Sequence, residues 1–270
     1  MIVAVGSDKG SPGATTLATV LGLVWPGDRL VCELDLRGAD LPYRLLQPGG
    51  QHMRAAPSIA TLAVDARPGA KPPQLPDYAQ ATALGVPVIR GEVSTRSASK
   101  VAPHVPAIAA LAEEWPGTVI ADVGSLQPTN PALVVAKAAA VVLLVTHAST
   151  EGLGRLRGQV EELTEYVGDP RRDRTPVGVV VVAPRRGEDA AVDRTRALLN
   201  SIGSPAPVVG PLRYDPKAAA ALWSERPSKK LARSSLVRSA ERLVREIERL
   251  WIDHAGGPRS AEVETARVDA

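Results

Sequence analysis

Short apolar runs rich in β-branched residues recur along the chain at residues 2–5, 30–34, 86–89, 118–121, 141–145, 177–182 and 207–209. Several have no polar side at all. Residues 141–145 read Val-Val-Leu-Leu-Val and residues 177–182 read Val-Gly-Val-Val-Val-Val. A strand that is apolar on both faces must be covered on both, which is the situation of a parallel sheet between layers of helix. Between the runs, apolar residues recur at helical spacing over residues 15–24, 58–65, 106–115, 150–167 and 190–201. The alternation predicts an α/β fold: a doubly wound, mainly parallel sheet of about seven strands with helices on both faces. Residues 67–76 (Arg-Pro-Gly-Ala-Lys-Pro-Pro-Gln-Leu-Pro) break the rhythm and read as a surface loop. Residues 1–254 are expected to form one domain. Residues 255–270 are polar and aperiodic, and are expected to be a disordered tail.

Composition narrows this little. The chain has 270 residues, is 44% hydrophobic and carries a formal net charge of +3, which fits a globular domain with a sizeable core and does not mark a nucleic-acid binder. Cys32 is the only cysteine, so an internal disulfide and a cysteine metal cluster are excluded; within the apolar run 30–34 it is expected to fill core space. No stretch approaches the roughly 18–20 uninterrupted apolar residues of a membrane span. The first residues read as a core strand rather than a leader, and the expectation is a cytoplasmic location, with a peripheral place at membrane or nucleoid left open.

The chemistry begins where the first run ends. Residues 7–16 read Ser-Asp-Lys-Gly-Ser-Pro-Gly-Ala-Thr-Thr, and a helical pattern follows. Strand, glycine-rich turn and helix together make a phosphate cradle, because backbone N–H groups and the helix N-terminus converge on one point. An ordinary P-loop, G-x-x-x-x-G-K-[S/T], adds a lysine for the β and γ phosphates. Here Gly13 and Thr15 match, Ala14 stands at the lysine position and Asp8 at the first glycine. Two strand-end segments carry carboxylates: Glu33-Leu34-Asp35 after the second run, and Asp122-Val123-Gly124 after the fourth. Ser125 has no G-x-S-x-G surroundings, which excludes a serine-hydrolase elbow. His52, His104, His147 and His254 lack metal-ligand spacing; His147 follows a strand end.

Residues 9–16 resemble the deviant Walker A motif of the MinD/ParA family, K-G-G-x-G-K-[T/S]-[T/S]. The resemblance implies that Lys9 is the signature lysine, which in the family crosses a nucleotide-sandwich dimer to the partner's phosphates. It implies a cofactor-binding cradle of Lys9, Gly10, Ser11, Pro12, Gly13, Ala14, Thr15 and Thr16, with Ser11 in place of a glycine and Ala14 in place of the second lysine. Glu33 to Asp35 resembles the family's D-x-D segment, Glu33 replacing the first aspartate near the magnesium and attacking water. Asp122 resembles its Walker B aspartate. On this resemblance Lys9 and Asp35 are the catalytic residues, and Thr15, Asp35 and Asp122 hold magnesium. Pro211 to Ala218 resembles the P-x-D-p-x-a segment near the adenine, which assigns Pro211, Tyr214 and Asp215 to the cofactor. The strand before it ends in Ala183-Pro184 where the family has a base-reading asparagine.

Loss of the P-loop lysine also resembles CpaE- and TadZ-like members, which help place pilus or secretion machinery. Many of those carry a receiver-like domain before the ATPase fold, whereas this chain begins at the first strand. The implied function is a dimerising localisation or assembly factor with little or no ATPase activity, binding ATP or ADP with Mg2+ weakly or not at all, and working with a protein partner of a cellular machine. An active ParA-type ATPase of chromosome or plasmid partitioning is the alternative. A metabolic enzyme on the same scaffold, such as an amidoligase or dethiobiotin-synthetase relative, ranks third. The last helical pattern, residues 234–251, has an apolar face and an arginine stripe of Arg238, Arg242, Arg245 and Arg249 interrupted by Glu241, Glu246 and Glu248. It reads first as a helix packed on the sheet with a salt-paired outer face, and secondarily as a DNA-phosphate or membrane surface.

Overall fold

Residues 2–7 are buried throughout and form β1 (Ile2–Ser7), the centre of the sheet. The computed structural model describes residues 1–8, 13–67, 69, 72–167, 175–224 and 229–252. The other strands are β2 (Arg29–Glu33), β3 (Val88–Ile89), β4 (Thr118–Ser125), β5 (Val141–His147), β6 (Val177–Ala183) and β7 (Val208–Arg213). They lie in the order β3-β2-β4-β1-β5-β6-β7, and every strand pairing is parallel. The seven apolar runs therefore all become strands. The third shrinks to two residues at the sheet edge, where Val88 also pairs antiparallel with Gln80.

Helices cover both faces. The principal ones are α1 (Ala14–Val24), α2 (Leu41–Arg44), α3 (Ile59–Asp65), α4 (Thr95–Val101), α5 (Val105–Glu114), α6 (Leu133–Ala138), α7 (Thr150–Val167), α8 (Glu188–Ser201), α9 (Pro216–Leu222), α10 (Lys229–Ala232) and α11 (Ser235–Ile247). Alternation along each strand divides the core. Ile2, Ala4, Val142 and Leu144 face a layer that includes Ile59 and Leu62 of α3, Ile108 of α5 and Leu156 of α7. Val3, Val5, Val141 and Leu143 face Leu17 and Leu21 of α1 and Leu236 and Leu243 of α11. Strands apolar on both sides are thus buried on both sides, as their sequences require.

The helix α11 ends at Ile247 and continues as a π-type turn, Glu248–Ile252. Its apolar face is buried, and its outer face carries the Arg249–Glu246 pair at 2.6 Å and an Arg242–Glu188 approach of 3.9 Å. That is the packed-helix reading of the pattern. The predicted loop over residues 67–76 is corrected at its end, where Leu75–Tyr78 forms a 3-10 turn; Pro76 is placed at its start, where a missing N–H costs nothing. The expected tail, residues 255–270, lies outside the described residues. Among the described residues, no helix is long and apolar enough to cross a membrane.

The order of the strands creates the crevice. The chain leaves β1 over one face through α1 to reach β2, and leaves β4 over the other face through α6 to reach β5. In open parallel sheets, a ligand site forms beyond the carboxyl ends of the strands where the winding reverses in this way.

Candidate functional site

Residue 13 shows why a glycine stands at the start of α1. Its φ is 95°, in the left-handed region that favours glycine, and it caps the helix from there, its carbonyl accepting the Leu17 N–H at 2.8 Å. Ala14 is buried at the first turn. Thr15 and Thr16 are half-buried on the strand-end side of the helix. Residues 9–12, hence Lys9, Gly10, Ser11 and Pro12, lie outside the described residues.

Asp122 is fully buried near the end of β4, in register with Val5 of β1 and Glu33 of β2. The next step is irregular: Gly6 pairs with Gly124, so Val123 is an extra residue in the ladder. Gly124 takes a φ of 64°, and its N–H donates to Asp122 Oδ1 at 3.2 Å. A Cβ built at Gly124 would overlap the Asp35 carboxyl, which lies directly over it. Asp122 Oδ2 has no hydrogen-bond partner among the described residues. Burial pushes the Asp122 carboxyl up to about 6, against the pull of the Thr15 hydroxyl and the Gly124 amide; the nearby Asp35 and Asp40 charges also raise it. Thr15, Asp35 and Asp122, which the motifs nominated from three separate segments, are therefore neighbours.

Asp35 is held by its own loop. Its Oδ1 accepts the Arg37 N–H at 3.0 Å and meets the Arg37 guanidinium at 3.4 Å. Ser125 donates its hydroxyl to the Asp8 carbonyl at 3.1 Å, tying the end of β4 to the residue that leaves β1. Asn130 secures the turn after β4: its amide donates to the carbonyls of Val123 (2.9 Å) and Ser125, while its Oδ1 accepts the Ala132 N–H at 3.0 Å.

Glu33 departs from the expectation that it sits at the magnesium and attacking water. Its carboxylate is 1% exposed and turned onto backbone. Oε1 accepts the N–H groups of Asp40 and Leu41, both at 2.8 Å, and Oε2 accepts that of Gly91 at 2.9 Å. The extra methylene of glutamate supplies this reach. Burial pushes the carboxyl up to about 7, with Asp122 adding to the rise and the three amides opposing it. Cys32, one residue back, is buried, and burial together with the Glu33 and Asp122 charges pushes its thiol up to about 12; it is an inert core residue.

On the other side of α1 an open cleft of about 190 Å³ is lined by Gly13, Thr16, His147, Val182, Tyr214 and Asp215, among others. Tyr214 is 60% exposed, and its N–H donates to the Ala183 carbonyl at 2.8 Å. Asp215 caps α9, accepting the Ala218 N–H at 3.0 Å and the Ser235 hydroxyl at 2.8 Å. Tyr214 and Asp215 thus share the cleft with Gly13 and Thr16 at the start of α1. Pro211 sits inside β7, ahead of the residues that line the cleft. Arg213, which motif reading passed over, lines the cleft and is ion-paired with Glu188 at the start of α8. A charged residue at the end of a parallel strand was the available signal. His147 does line the cleft, and it is exposed.

Sheet order, the helix start after β1 and the strand-end carboxylates define the class: this is the P-loop NTPase fold in its MinD/ParA form. Particular structures of that form align over nearly the whole chain. The ParA family ATPase of Chlorobium tepidum TLS gives a TM-score of 0.69 at 17% identity, covering 90% of this chain and 98% of that one. The septum site-determining protein MinD of Pyrococcus horikoshii OT3, in complex with Mg-ADP, gives 0.66 at 19% identity, covering 92% and 96%. Cobyrinic acid a,c-diamide synthase of Mycobacterium smegmatis, with an ATP analog and magnesium bound, gives 0.65 at 16% identity, covering 94% and 96%. At these identities the likeness is one of fold, and it spans ATPases and a synthase alike. No protein-family model matches the sequence, and no curated protein matches it significantly.

Proposed function

We propose that the chain is a MinD/ParA-like nucleotide-binding protein with a degenerate P-loop, a dimerising localisation or assembly factor with little or no ATPase activity. The observation that supports it best is the combination at the head of α1. Asp122 presents a buried Oδ2 that has no hydrogen-bond partner among the described residues, beside the Thr15 hydroxyl, while Ala14, at the position of a phosphate-binding lysine, supplies no cation. Hydroxyl and carboxylate oxygens suit a hard cation such as Mg2+, which typically takes one or two carboxylates and completes its shell with phosphate and water. Thr15, Asp122 and Asp35 would hold the ion, and the ion would offset phosphate charge.

Phosphoryl transfer depends on positioning and on donors aimed at the transferring group. A hydrogen bond to a charged partner is worth about 1.5–3 kcal/mol, so alanine in place of lysine weakens nucleotide binding by about ten- to a hundredfold. Hydrolysis loses at least as much, since the transition state draws harder on those donors. Glu33, sealed onto backbone, is not free to orient a water. The cleft beside Tyr214 would take the base, with the backbone of residues 213–215 in place of the missing asparagine side chain. Pairing of two chains across Lys9, and a role beside a pilus or secretion machine, belong to the same proposal.

The test combines calorimetric titration with Mg·ATP and Mg·ADP and a phosphate-release assay. The expected result is weak binding, no turnover above background, and binding about ten- to a hundredfold tighter in Ala14→Lys. Turnover by the natural sequence that disappears in Asp35→Ala and Asp122→Ala would instead establish a working ATPase. Light scattering with and without nucleotide tests the pairing; a monomer under both conditions at high concentration rejects it.

A further inference from the structure

The carboxylate of Glu33 meets backbone from two separate parts of the chain. Oε1 takes the N–H groups of Asp40 and Leu41, at the start of α2, and Oε2 takes that of Gly91, just beyond β3. The loop between Glu33 and Asp40 is the one that carries Asp35. Among the described residues its other backbone bonds are Leu34 N–H to the Asp122 carbonyl at 2.7 Å, Gly38 N–H to the Asp35 carbonyl at 3.3 Å and Ala39 N–H to the Glu92 carbonyl at 3.0 Å, beside the Arg37 bonds to Asp35 Oδ1 and the burial of Leu34 and Ala39. Backbone N–H groups converging on one point form an anion nest. Here the acceptor is a side-chain carboxyl of the same protein. Asp35 in turn rests on Gly124, whose N–H holds Asp122.

We propose that Glu33 is a positioning residue: a buried carboxyl whose two oxygens, by accepting three backbone N–H groups, fix the loop of residues 34–41, and with it Asp35 over Gly124, in the absence of any bound ligand. The proposal deepens the nucleotide-site reading, since Asp35 is a metal ligand only there, but the lock itself needs no ligand. A loop held this way does not change its order when a nucleotide arrives. It therefore cannot report the state of the site to a partner, which sets it apart from a ligand-ordered switch loop.

Hydrogen exchange of the full chain tests this. In the natural sequence the amides of Asp40, Leu41 and Gly91 are expected to be protected without ligand and to change less than about twofold on adding Mg·ATP, because no bond is gained there. Glu33→Gln turns an amide NH2 toward backbone donors and is expected to speed exchange at those three amides by about ten- to a hundredfold, with β1, β5 and β6 unaffected. Gly91→Ala attacks the lock from outside and guards against a misfolded Glu33→Gln. Its Cβ would lie 3.0 Å from Glu33 Oε2 and 2.7 Å from Ala39 Cβ, and the same three amides should open. Leu243→Ala, a core change in α11 on the other face of the sheet and beside β7, is the control for general destabilisation. The proposal is overturned if either loop variant exchanges uniformly faster, as Leu243→Ala is expected to, or if Mg·ATP protects the loop tenfold in the natural sequence. Calorimetry on the same samples keeps the two readings apart: without nucleotide binding the site reading fails, and the variants still decide the lock.

Discussion

The ends of β2 and β4 and the ends of β6 and β7 lie on the same edge of one sheet and are built in opposite ways. At the first, Glu33 and Asp122 are buried, Asp35 is half-buried, and each carboxyl is gripped by backbone: Glu33 by three N–H groups, Asp122 Oδ1 by Gly124, Asp35 Oδ1 by Arg37, with Asp122 Oδ2 left without a partner among the described residues. At the second, the surface is open, Tyr214 projects into solvent, and Asp215 points its carboxylate at a helix start and a hydroxyl. The first region holds its shape from within. The second is a vessel whose walls are a helix cap and the strand ends. Substitutions in the two regions should therefore differ in size, and acid should act on them with opposite sign.

The largest effect is expected at Gly124. A side chain there meets two penalties: a left-handed backbone, about 1–2 kcal/mol for a residue with a Cβ, and forced displacement of Asp35, about 1–3 kcal/mol in a packed site. Gly124→Ala should lose about 2–5 kcal/mol in urea unfolding. A loss below about 0.5 kcal/mol, the range of ordinary surface substitutions, would show that the first region is soft and would remove the contrast.

Much of this edge is legible in the chain. Asp122 and Gly124 are readable because their strand end follows the glycine-rich turn and the Glu33–Asp35 segment in order, and Gly13 because it stands in a glycine-rich turn between a strand and a helical pattern. The strands are readable because runs such as residues 141–145 leave no polar face. The short helices are not: Leu41–Arg44 and Leu133–Ala138 span four and six residues, too few for a periodicity to register. Nor is the fate of Glu33. Its partner Gly91 is 58 residues away, and nothing local distinguishes a carboxylate that serves a metal from one that serves backbone. Pro211 stands outside the cleft lining for a related reason, since the motif marks a segment and the strand's end decides which of its residues reach the cleft.

The second expectation concerns pH. Glu33 and Asp122 stand above their ordinary values of 4.5 and 3.8, at about 7 and about 6. Each is harder to ionise folded than unfolded, so the unfolded chain releases protons first and gains as pH rises. The stability these two groups contribute is present in full below about pH 4 and is lost as pH climbs through about 6 to 7. Asp215 has the reverse sign: the Ala218 N–H, with Ser235 beside it, holds its carboxyl below 3.8, so its contribution is present above that value and is lost in stronger acid. Denaturation midpoints from pH 3 to 8, without metal, should show Asp122→Asn removing part of the decline between about pH 4 and 6. If the stability of the natural sequence relative to Asp122→Asn instead rises over that interval, the assigned sign is wrong.

The smallest effect is expected at Asp215. Its carboxylate caps α9 through Ala218 and bonds Ser235 at the start of α11, so one side chain joins the two helices beside the cleft. An N-cap is worth about 0.5–2 kcal/mol, and the group is only partly buried, so water replaces part of what is lost. Asp215→Ala should cost about 1–2 kcal/mol. Asp215→Asn keeps a capping oxygen and should cost only a few tenths of a kcal/mol. The pair separates geometry from charge: the alanine variant should loosen the N-terminal amides of α9 in hydrogen exchange, while the asparagine variant should leave them protected and flatten only the acid limb below about pH 4. Neither should disturb the amides of Asp40, Leu41 and Gly91, which answer to Glu33 at the far end of the edge. Equal losses in both variants would mean that the charge, not the cap, shapes this side, and the two regions would then be held by the same kind of force.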